Sequence, residues 1–167
     1  MAVRPILLYP HPILKARAAS VSPSDPQVAG IIEDMLDSLR ASPGVALAAP
    51  QIGYPLGIVV VDVSRKKGER GHGLVILVNP RILHQQGARI VREGCLSVPD
   101  FTGNVQRYEQ TIIEGTTPTG ETSILTTVGL EALAFQHEID HLAGTLFLDR
   151  IASLNTDLFR RGQKGLS

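Results

Sequence analysis

Several features are scarce in this chain of 167 residues, and each scarcity excludes a class of protein. The only cysteine, Cys95, has no internal disulfide partner, which fits a reducing compartment. The numbers of basic and acidic side chains are equal, so no global basic field favours binding to nucleic acid. No apolar run approaches the roughly 18 residues of a membrane span, and early prolines argue against a signal peptide. We therefore expect a cytoplasmic protein with neither a membrane segment nor nucleic-acid specificity.

Hydrophobic spacing predicts the elements of a single domain, residues 1–167, with a sizeable core. Apolar residues at intervals of three and four predict a helix within residues 24–44, with Asp25 as its cap. A second helix is predicted to begin near Val128 and to end at Gly144. Strand-like runs lie between the two helices: residues 57–63, 73–80, 87–94, 108–115 and 121–127. The pattern is that of an α+β fold, with antiparallel strands around a central helix.

The C-terminal part of the chain contains three further segments. Residues 145–151 are predicted to form a short strand or a core segment, and residues 153–161 a last short helix. The basic stretch at residues 160–165 is interpreted as a frayed tail and not as a recognition element.

The stretch QHEIDHLAG, residues 136–144, contains the pattern His-Glu-x-x-His on the second predicted helix. His137 and His141 are four residues apart, so they lie on one face of a helix and can bind one metal ion. A catalytic metal site usually takes three protein ligands and leaves one position open for water. The sequence must therefore supply a third ligand elsewhere.

Residues after this pattern offer no standard third ligand. No glutamate follows Glu138, which excludes the thermolysin-like class, and Phe147 occupies the position of the third metzincin histidine. Asp140 lies about 100° around the helix from the second histidine and suits a hydrogen bond beside the metal better than a metal bond. Asp149 is a possible third ligand, but no other feature of the sequence supports it. Upstream, Cys95 follows a predicted strand, and two interpretations stay open: a thiolate ligand or a small buried hydrophobic residue.

Three stretches together resemble the signature motifs of the peptide deformylase family: GVALAAPQ (44–51), EGCLS (93–97) and QHEIDHL (136–142). Their order and separations match as well, and the similarity extends over nearly the whole chain. The resemblance implies a metal-dependent hydrolase that removes the formyl group from formyl-methionyl nascent polypeptides and releases formate. The alternatives are a metallopeptidase or amidase that acts on unformylated peptides, and a non-catalytic metal-binding relative. The intact Glu138, Gln51 and Cys95 argue against the latter.

The resemblance also implies roles for individual residues. Three of them would bind one divalent cation, Fe²⁺ in the first place and Zn²⁺, Ni²⁺ or Co²⁺ otherwise: Cys95, His137 and His141. Glu138 would take a proton from water and return it to the leaving amine. The side-chain amide of Gln51 and the backbone N–H of Leu96 would stabilise the negative charge on the formyl oxygen. From the residues alone, a purely structural role for a buried glutamine is favoured.

Apolar residues of the motifs and of the second helix are expected to line a pocket for the methionine side chain: Val45, Val91, Leu130, Leu133 and Ala134. Apolar helix faces are also common in plain protein cores, so that alternative remains. Ala46 stands where the family usually has the second glycine of its first motif, next to the substrate backbone. Because alanine disfavours positive φ, this departure puts the affinity for peptide in question. Glu93 and Arg107 are expected to form an ion pair beside the site.

The resemblance implies formyl-methionyl nascent peptides as partners, with transient contact near the ribosome exit region. We expect a monomer. Some family members carry a basic residue just after the second motif that binds the substrate backbone, but residues 100–104 contain none.

Overall fold

The fold consists of a six-stranded antiparallel sheet and two main helices, seen in a computed structural model that describes residues 2–161. Strands β1 to β5 are neighbours in chain order, and β6 pairs with β4. The strands are β1 (Ala46–Ala48), β2 (Ile58–Val61), β3 (Val75–Cys95), β4 (Val98–Thr116), β5 (Thr122–Val128) and β6 (Leu158–Arg160). The helices are α1 (Val28–Arg40), α2 (Gly129–Leu142) and the single turn α3 (Leu154–Asp157). None of the helices in the described part is long and apolar enough to cross a membrane.

Strands β1 and β2 are covered on both faces, and this explains the unbroken apolar run of β2. Leu47, Ile58 and Val60 pack with the apolar side of α1. The alternate residues Val59 and Val61 pack instead with α2. Successive side chains of a strand point to opposite faces, so a strand buried on both sides needs an apolar residue at every position.

Strands β3 and β4 form a long hairpin whose tight turn is Leu96–Ser97. The register shifts between Gly94 and Cys95, just before this turn. Such a bulge bends a strand and redirects its side chains. Cys95 therefore leaves the hairpin buried, in contact with a third apolar cluster that includes Leu14 and Phe147.

Helix α2 lies against strands β1, β2, β4 and β5 and is buried along most of its length. Gln136 fastens it to β4, because its side-chain amide accepts from the Tyr108 N–H at 2.9 Å and donates to the Tyr108 carbonyl at 2.8 Å. The helix ends before Gly144, which has φ +75°. A Cβ atom there would lie 2.6 Å from the Lys15 carbonyl oxygen, so this position requires glycine.

The α+β class and the antiparallel order of strands around a central helix agree with prediction, but several element bounds differ. Helix α1 begins at Val28, and the Asp25 side chain accepts from the Gln27 N–H in the turn before it. The runs 73–80 and 87–94 belong to one strand, β3, because the polar segment between them also pairs with β4. That segment is exposed, so the alternation of apolar and polar residues on which strand prediction depends is missing.

The C-terminal predictions are partly wrong. Residues 145–151 contain a 3-10 turn, Phe147–Arg150, rather than a strand, although Leu146 and Phe147 are core residues. Residues 153–161 begin as α3 but continue as β6, since Leu158 pairs with Gly103 of β4. Arg160 is therefore held by pairing with Phe101, and Arg161 by the bond from its N–H to the Asp100 carbonyl, so these two residues are not a frayed tail. Residues 162–165 lie outside the described part.

Candidate active site

Three side chains that the sequence places far apart converge at the junction of β3 and α2. The thiol of Cys95 at the end of β3 lies 3.3 Å from Nε2 of His141. Nε2 of His141 lies 3.2 Å from Nε2 of His137, one turn earlier on α2. One ligand atom from each residue lies within 4.8 Å of the other two, and all three side chains are almost completely buried. The structure thus brings the three predicted metal ligands together.

The ring of His137 is oriented by a carboxylate. Its Nδ1 hydrogen-bonds to Glu93, so Nε2 points towards Cys95 and His141. Glu93 also accepts from Arg107 Nε at 2.8 Å and Nη2 at 2.6 Å. A histidine that binds a metal through one nitrogen usually donates its other N–H to such a partner. The expected pair of Glu93 and Arg107 is present, and it acts on the orientation of His137.

Asp140 extends this network away from the three ligands. It accepts from Arg107 Nη1 at 2.7 Å and from Arg150 Nε at 2.6 Å. Among the described residues, its carboxylate bonds to Arg107 and Arg150 and not to His137 or His141, so its place is one step further from the centre than expected. The other acid considered as a ligand, Asp149, lies elsewhere, where it pairs with Lys15 and accepts from the Leu146 N–H.

The charges at the centre favour a cation. Burial and the neighbouring His137 lower the pKa of His141, which keeps its nitrogen lone pair available. Burial also opposes a charge on His137, but Cys95 and Glu93 outweigh that effect and raise its pKa. The same negative groups that stabilise a proton here would stabilise a metal ion. One thiolate and two imidazoles are a donor set that Zn²⁺ and Fe²⁺ accept, so the residues fit the predicted metal.

Glu138 follows His137 directly on α2, and one of its two carboxylate oxygens has no hydrogen-bond partner among the described residues. The side chain is buried, and Oε2 has no hydrogen-bond partner among residues 2–161. Burial raises the pKa of Glu138 from 4.5 to about 7, although His137 opposes this effect. A carboxylate with a pKa near neutrality is suited to both accepting and returning a proton.

Gln51 connects the first motif to the second. Its side-chain oxygen accepts from the Ala48 N–H at 2.9 Å, and its amide nitrogen donates to Ser97 Oγ at 3.2 Å. The same nitrogen lies 3.7 Å from Cys95 Sγ. The amide of Gln51 is therefore fixed beside the thiol, because its two N–H groups donate to Ser97 Oγ and to Cys95 Sγ. Leu96 follows Cys95 directly in the turn and packs against Gly44.

A cavity of about 840 Å³ opens in front of the centre. His137, Glu138 and Cys95 line it, together with all six residues that were predicted to contact substrate: Val45, Ala46, Val91, Leu130, Leu133 and Ala134. This volume lies in the range typical of binding sites for small molecules and short peptides.

The departure at Ala46 does not disturb the backbone. Ala46 lies in β1 and pairs with Val61. Among the described residues, only Asn79 combines positive φ with a side chain, so Ala46 avoids the conformation that alanine disfavours.

A model of the polypeptide deformylase family matches residues 3–157 of the chain. The chain belongs to the peptide deformylase family. The peptide deformylase of Syntrophobacter fumaroxidans is 42% identical over 164 residues, which cover 98% of this chain and 95% of that protein. The peptide deformylase structure from Legionella pneumophila matches with a TM-score of 0.84 and 38% identity, over 92% of this chain and 88% of that one.

A third similar protein was solved with a peptide. It is the Met-Ala-Ser-bound peptide deformylase of Acinetobacter baumannii, with a TM-score of 0.82 and 32% identity, over 90% of this chain and 99% of that one. Membership of the peptide deformylase family makes the chain an enzyme that removes the N-terminal formyl group from formyl-methionyl polypeptides. The family and the reaction implied by the three motifs are confirmed, and the alternative of a peptidase for unformylated peptides is set aside.

Two residues at or beside the cavity have no individual signal in the sequence. Ser97, whose Oγ accepts from Gln51 Nε2, is part of the second motif, but no pattern in the sequence marks its side chain. Arg161 lines the cavity because β6 returns to β4, and no local pattern predicts that long-range pairing. The cleft of this peptide deformylase thus contains basic residues, and one of them, Arg161, directly follows the C-terminal strand.

Proposed function

We propose that Cys95, His137 and His141 bind one divalent cation, which this peptide deformylase requires to hydrolyse the formyl amide. The convergence of one sulfur and two nitrogen atoms within 4.8 Å is the observation that carries the proposal. A cation bound there supplies a Lewis acid that lowers the pKa of water in the cavity.

In this proposal Glu138 acts as the general base and then as the general acid. Its unpartnered Oε2 accepts a proton from water in the cavity, and the carboxyl group then delivers it to the amine that leaves. The N–H of Gln51 that faces the long contact to Cys95 Sγ, and the N–H of Leu96, donate to the formyl oxygen as it becomes negative. The fixed position of Gln51 supports this role, since donors that need no rearrangement stabilise a transition state best.

Metal content and formate release test the ligand assignment. We expect Cys95→Ala, His137→Ala and His141→Ala each to lose the metal and the release of formate from formyl-Met-Ala peptides. His84→Ala, at an exposed histidine of β3, is the matched control and should change neither. Full metal occupancy and affinity in Cys95→Ala would contradict the assignment.

The apolar part of the cleft is proposed to bind the methionine side chain. Val45, Val91, Leu130 and Leu133 are only partly buried, so they keep apolar surface open to the cavity. The Met-Ala-Ser-bound relative supports a cleft that accepts an N-terminal methionine. Burial of a methionine side chain contributes about 1.5–3 kcal/mol, or a preference of about tenfold to over a hundredfold.

Kinetics on formyl-Met-Ala and formyl-Ser-Ala peptides measure this preference. Leu133→Asp should reduce it and leave the metal bound. Equal cleavage of both peptides by the unaltered enzyme would mean that the apolar residues are plain core.

We propose Fe²⁺ as the working metal, with Zn²⁺, Ni²⁺ and Co²⁺ as substitutes. The donor set of one thiolate and two imidazoles is one that Fe²⁺ accepts, as does Zn²⁺. Because iron and thiolate are both open to oxidation, the Fe²⁺ form should lose activity in air faster than the Ni²⁺ or Zn²⁺ form. Equal lifetimes of the three forms would count against iron.

The setting of the reaction follows from the substrate. We infer that the chain acts as one catalytic domain, residues 1–167, and as a cytoplasmic monomer. Its substrate is the start of a newly made polypeptide, which supports transient contact near the ribosome exit region.

A further inference from the structure

Four basic side chains line the same cavity as the proposed metal ligands, and we name them the basic rim: Arg65, Lys66, Arg92 and Arg161. Three of them come from the loop after β2 and from β3, and the last follows β6. Within residues 2–161, none of the four forms an ion pair with a carboxylate, although Arg81, Arg89 and Arg107 all do. The rim therefore keeps its positive charge.

Arg161 is placed by the C-terminal strand and by a glycine of the second motif. Its N–H donates to the Asp100 carbonyl at 2.8 Å, at the end of the pairing between β6 and β4. Its guanidinium lies against Gly94, where an added Cβ atom would be 2.1 Å from Nη2. Any side chain at residue 94 would displace the guanidinium. Since Gly94 precedes Cys95, this charge lies beside the reacting centre and not on a remote surface.

Arg92 and Arg65 are held by uncharged partners. The guanidinium of Arg92 stacks on the Phe159 ring, with Cζ 3.5 Å from the centroid. Arg65 donates to the carbonyl oxygens of Leu39 at 2.6 Å and Ser42 at 3.0 Å. Neutral partners fix a side chain without cancelling its charge, so both groups remain available to attract an anion.

The carboxylates of the cavity do not neutralise the rim. Glu93 is already paired with Arg107, and Glu138 lies buried beside the proposed metal ligands. The mouth is thus cationic, while the inner wall is apolar. A peptide whose first residue occupies the apolar wall must pass the rim with its following residues.

We propose that the basic rim, with Arg161 as its main element, makes this enzyme prefer substrates with an acidic side chain in the residues just after methionine. The proposal rests on the placement of the peptide proposed above. An aspartate or glutamate carboxylate matches the planar, bidentate donor pattern of a guanidinium, whereas a lysine there meets like charges. The site is a specificity determinant for the known reaction, separate from the apolar selection of methionine.

The test measures kcat/KM of the metal-loaded enzyme on the C-terminal amides of formyl-Met-Ala-Ala, formyl-Met-Asp-Ala and formyl-Met-Lys-Ala. The same measurement is made on the amides that carry the charge one residue later, formyl-Met-Ala-Asp and formyl-Met-Ala-Lys. The amides remove the terminal carboxylate, so only side-chain charge differs. At low salt we expect the aspartate peptides to be cleaved severalfold better than the lysine peptides. The preference should shrink towards one at 1 M salt, where the screening length is about 3 Å.

Variants assign the effect to Arg161. Arg161→Ala should reduce the aspartate-to-lysine ratio about two- to fivefold, the range of an exposed charge pair, and Arg161→Glu should reduce it further. Arg160→Ala is the matched control. This variant removes the same charge from the neighbouring residue, and Arg160 does not line the cavity. The aspartate-to-lysine ratio should therefore stay unchanged.

Two outcomes would overturn the proposal: equal efficiency on the aspartate and lysine peptides at low salt, or an equal loss of preference in Arg160→Ala and Arg161→Ala. The neutral peptide separates this failure from that of the proposed function. If formyl-Met-Ala-Ala is cleaved normally but the aspartate preference is absent, the proposal about the basic rim is wrong and the proposed function stands. If the enzyme does not cleave the neutral peptide, the proposed function itself is wrong.

Discussion

At the scale of the residue, the surroundings of Glu138 decide what its carboxyl group can do. It follows a proposed metal ligand on α2, yet its side chain is turned so that Oε2 has no partner among the described residues. Burial raises its pKa to about 7. A proton therefore costs little to accept or to release near neutral pH, which is the property that general acid–base catalysis needs.

Glu138→Gln should retain the metal and lose at least about 100-fold in kcat, because the amide preserves shape but cannot accept a proton. Metal analysis and formate release measure the two effects. The rate of the unaltered enzyme should also fall as the pH drops through the pKa of Glu138, since the protonated carboxyl is not a base.

Glu109→Gln is the control, at an exposed glutamate of β4 that pairs with Arg89. It should leave metal content and rate unchanged. Near-normal deformylation by Glu138→Gln would remove this residue from the mechanism.

The residues of the site differ in how far the sequence could predict them. His137, Glu138 and His141 share one helix, so spacing alone places them on or near one face. Cys95 is ambiguous without the family resemblance, because a buried thiol is also an ordinary core residue. Arg161 had no signal, since its position depends on β6 pairing with a strand more than fifty residues earlier.

At the scale of the element, buried ion pairs join β3, β4 and α2. Arg107 of β4 is 3% exposed and binds Glu93 of β3 and Asp140 of α2. Burial would raise the pKa of Glu93, but Arg107 and His137 outweigh it and lower the pKa from 4.5 to about 2. At about 1.4 kcal/mol per pKa unit, the charged form of Glu93 contributes about 3 kcal/mol to stability.

The sign of that shift sets a pH dependence. A carboxyl with a lowered folded pKa stabilises the protein fully above its unfolded value, and the effect is lost as the pH falls through the folded value. In EDTA, we expect Glu93→Gln to lower the free energy of unfolding at pH 7 by about 3 kcal/mol. The difference from the unaltered protein should close between about pH 5 and pH 2.

Urea unfolding at several pH values measures this difference. Glu114→Gln, which removes an exposed partner of Arg81, is the control and should cost less than about 1 kcal/mol. A gap that stays constant down to pH 2 would show that Glu93 does not titrate as inferred.

The end of α2 depends on Gly144. Gly144→Ala should destabilise the protein through its positive φ and through the contact of the new Cβ with the Lys15 carbonyl. Gly120→Ala separates the two causes, because Gly120 also has positive φ but an added Cβ meets nothing within 4 Å. Urea unfolding should show a loss of about 1–2 kcal/mol for Gly120→Ala and a larger one for Gly144→Ala. Equal losses would mean that the contact with Lys15 relaxes freely.

At the scale of the whole molecule, the architecture could be predicted where burial produces a pattern. Helix α1 buries one side and β2 buries both, so each has a clear apolar signal. The exposed middle of β3 buries neither face and therefore has no apolar pattern. Strands β1 and β6 are only three residues long, which is too short for a pattern. Their formation depends on pairing with distant strands, which local sequence does not encode.

The proposed cation would connect β3 to α2 and so act on the stability of the entire fold. A ligand that binds only the folded state adds about 2.7 kcal/mol at a free concentration 100 times its Kd. For a chain of this size that corresponds to a rise in Tm of about 5–10 °C. We therefore expect EDTA to lower the Tm of the metal-loaded protein by that amount, as measured by calorimetry.

In Cys95→Ala, EDTA should leave the Tm unchanged, whereas in His84→Ala it should act as in the unaltered protein. A Tm that EDTA does not change in the metal-loaded protein would mean that no cation links the two elements.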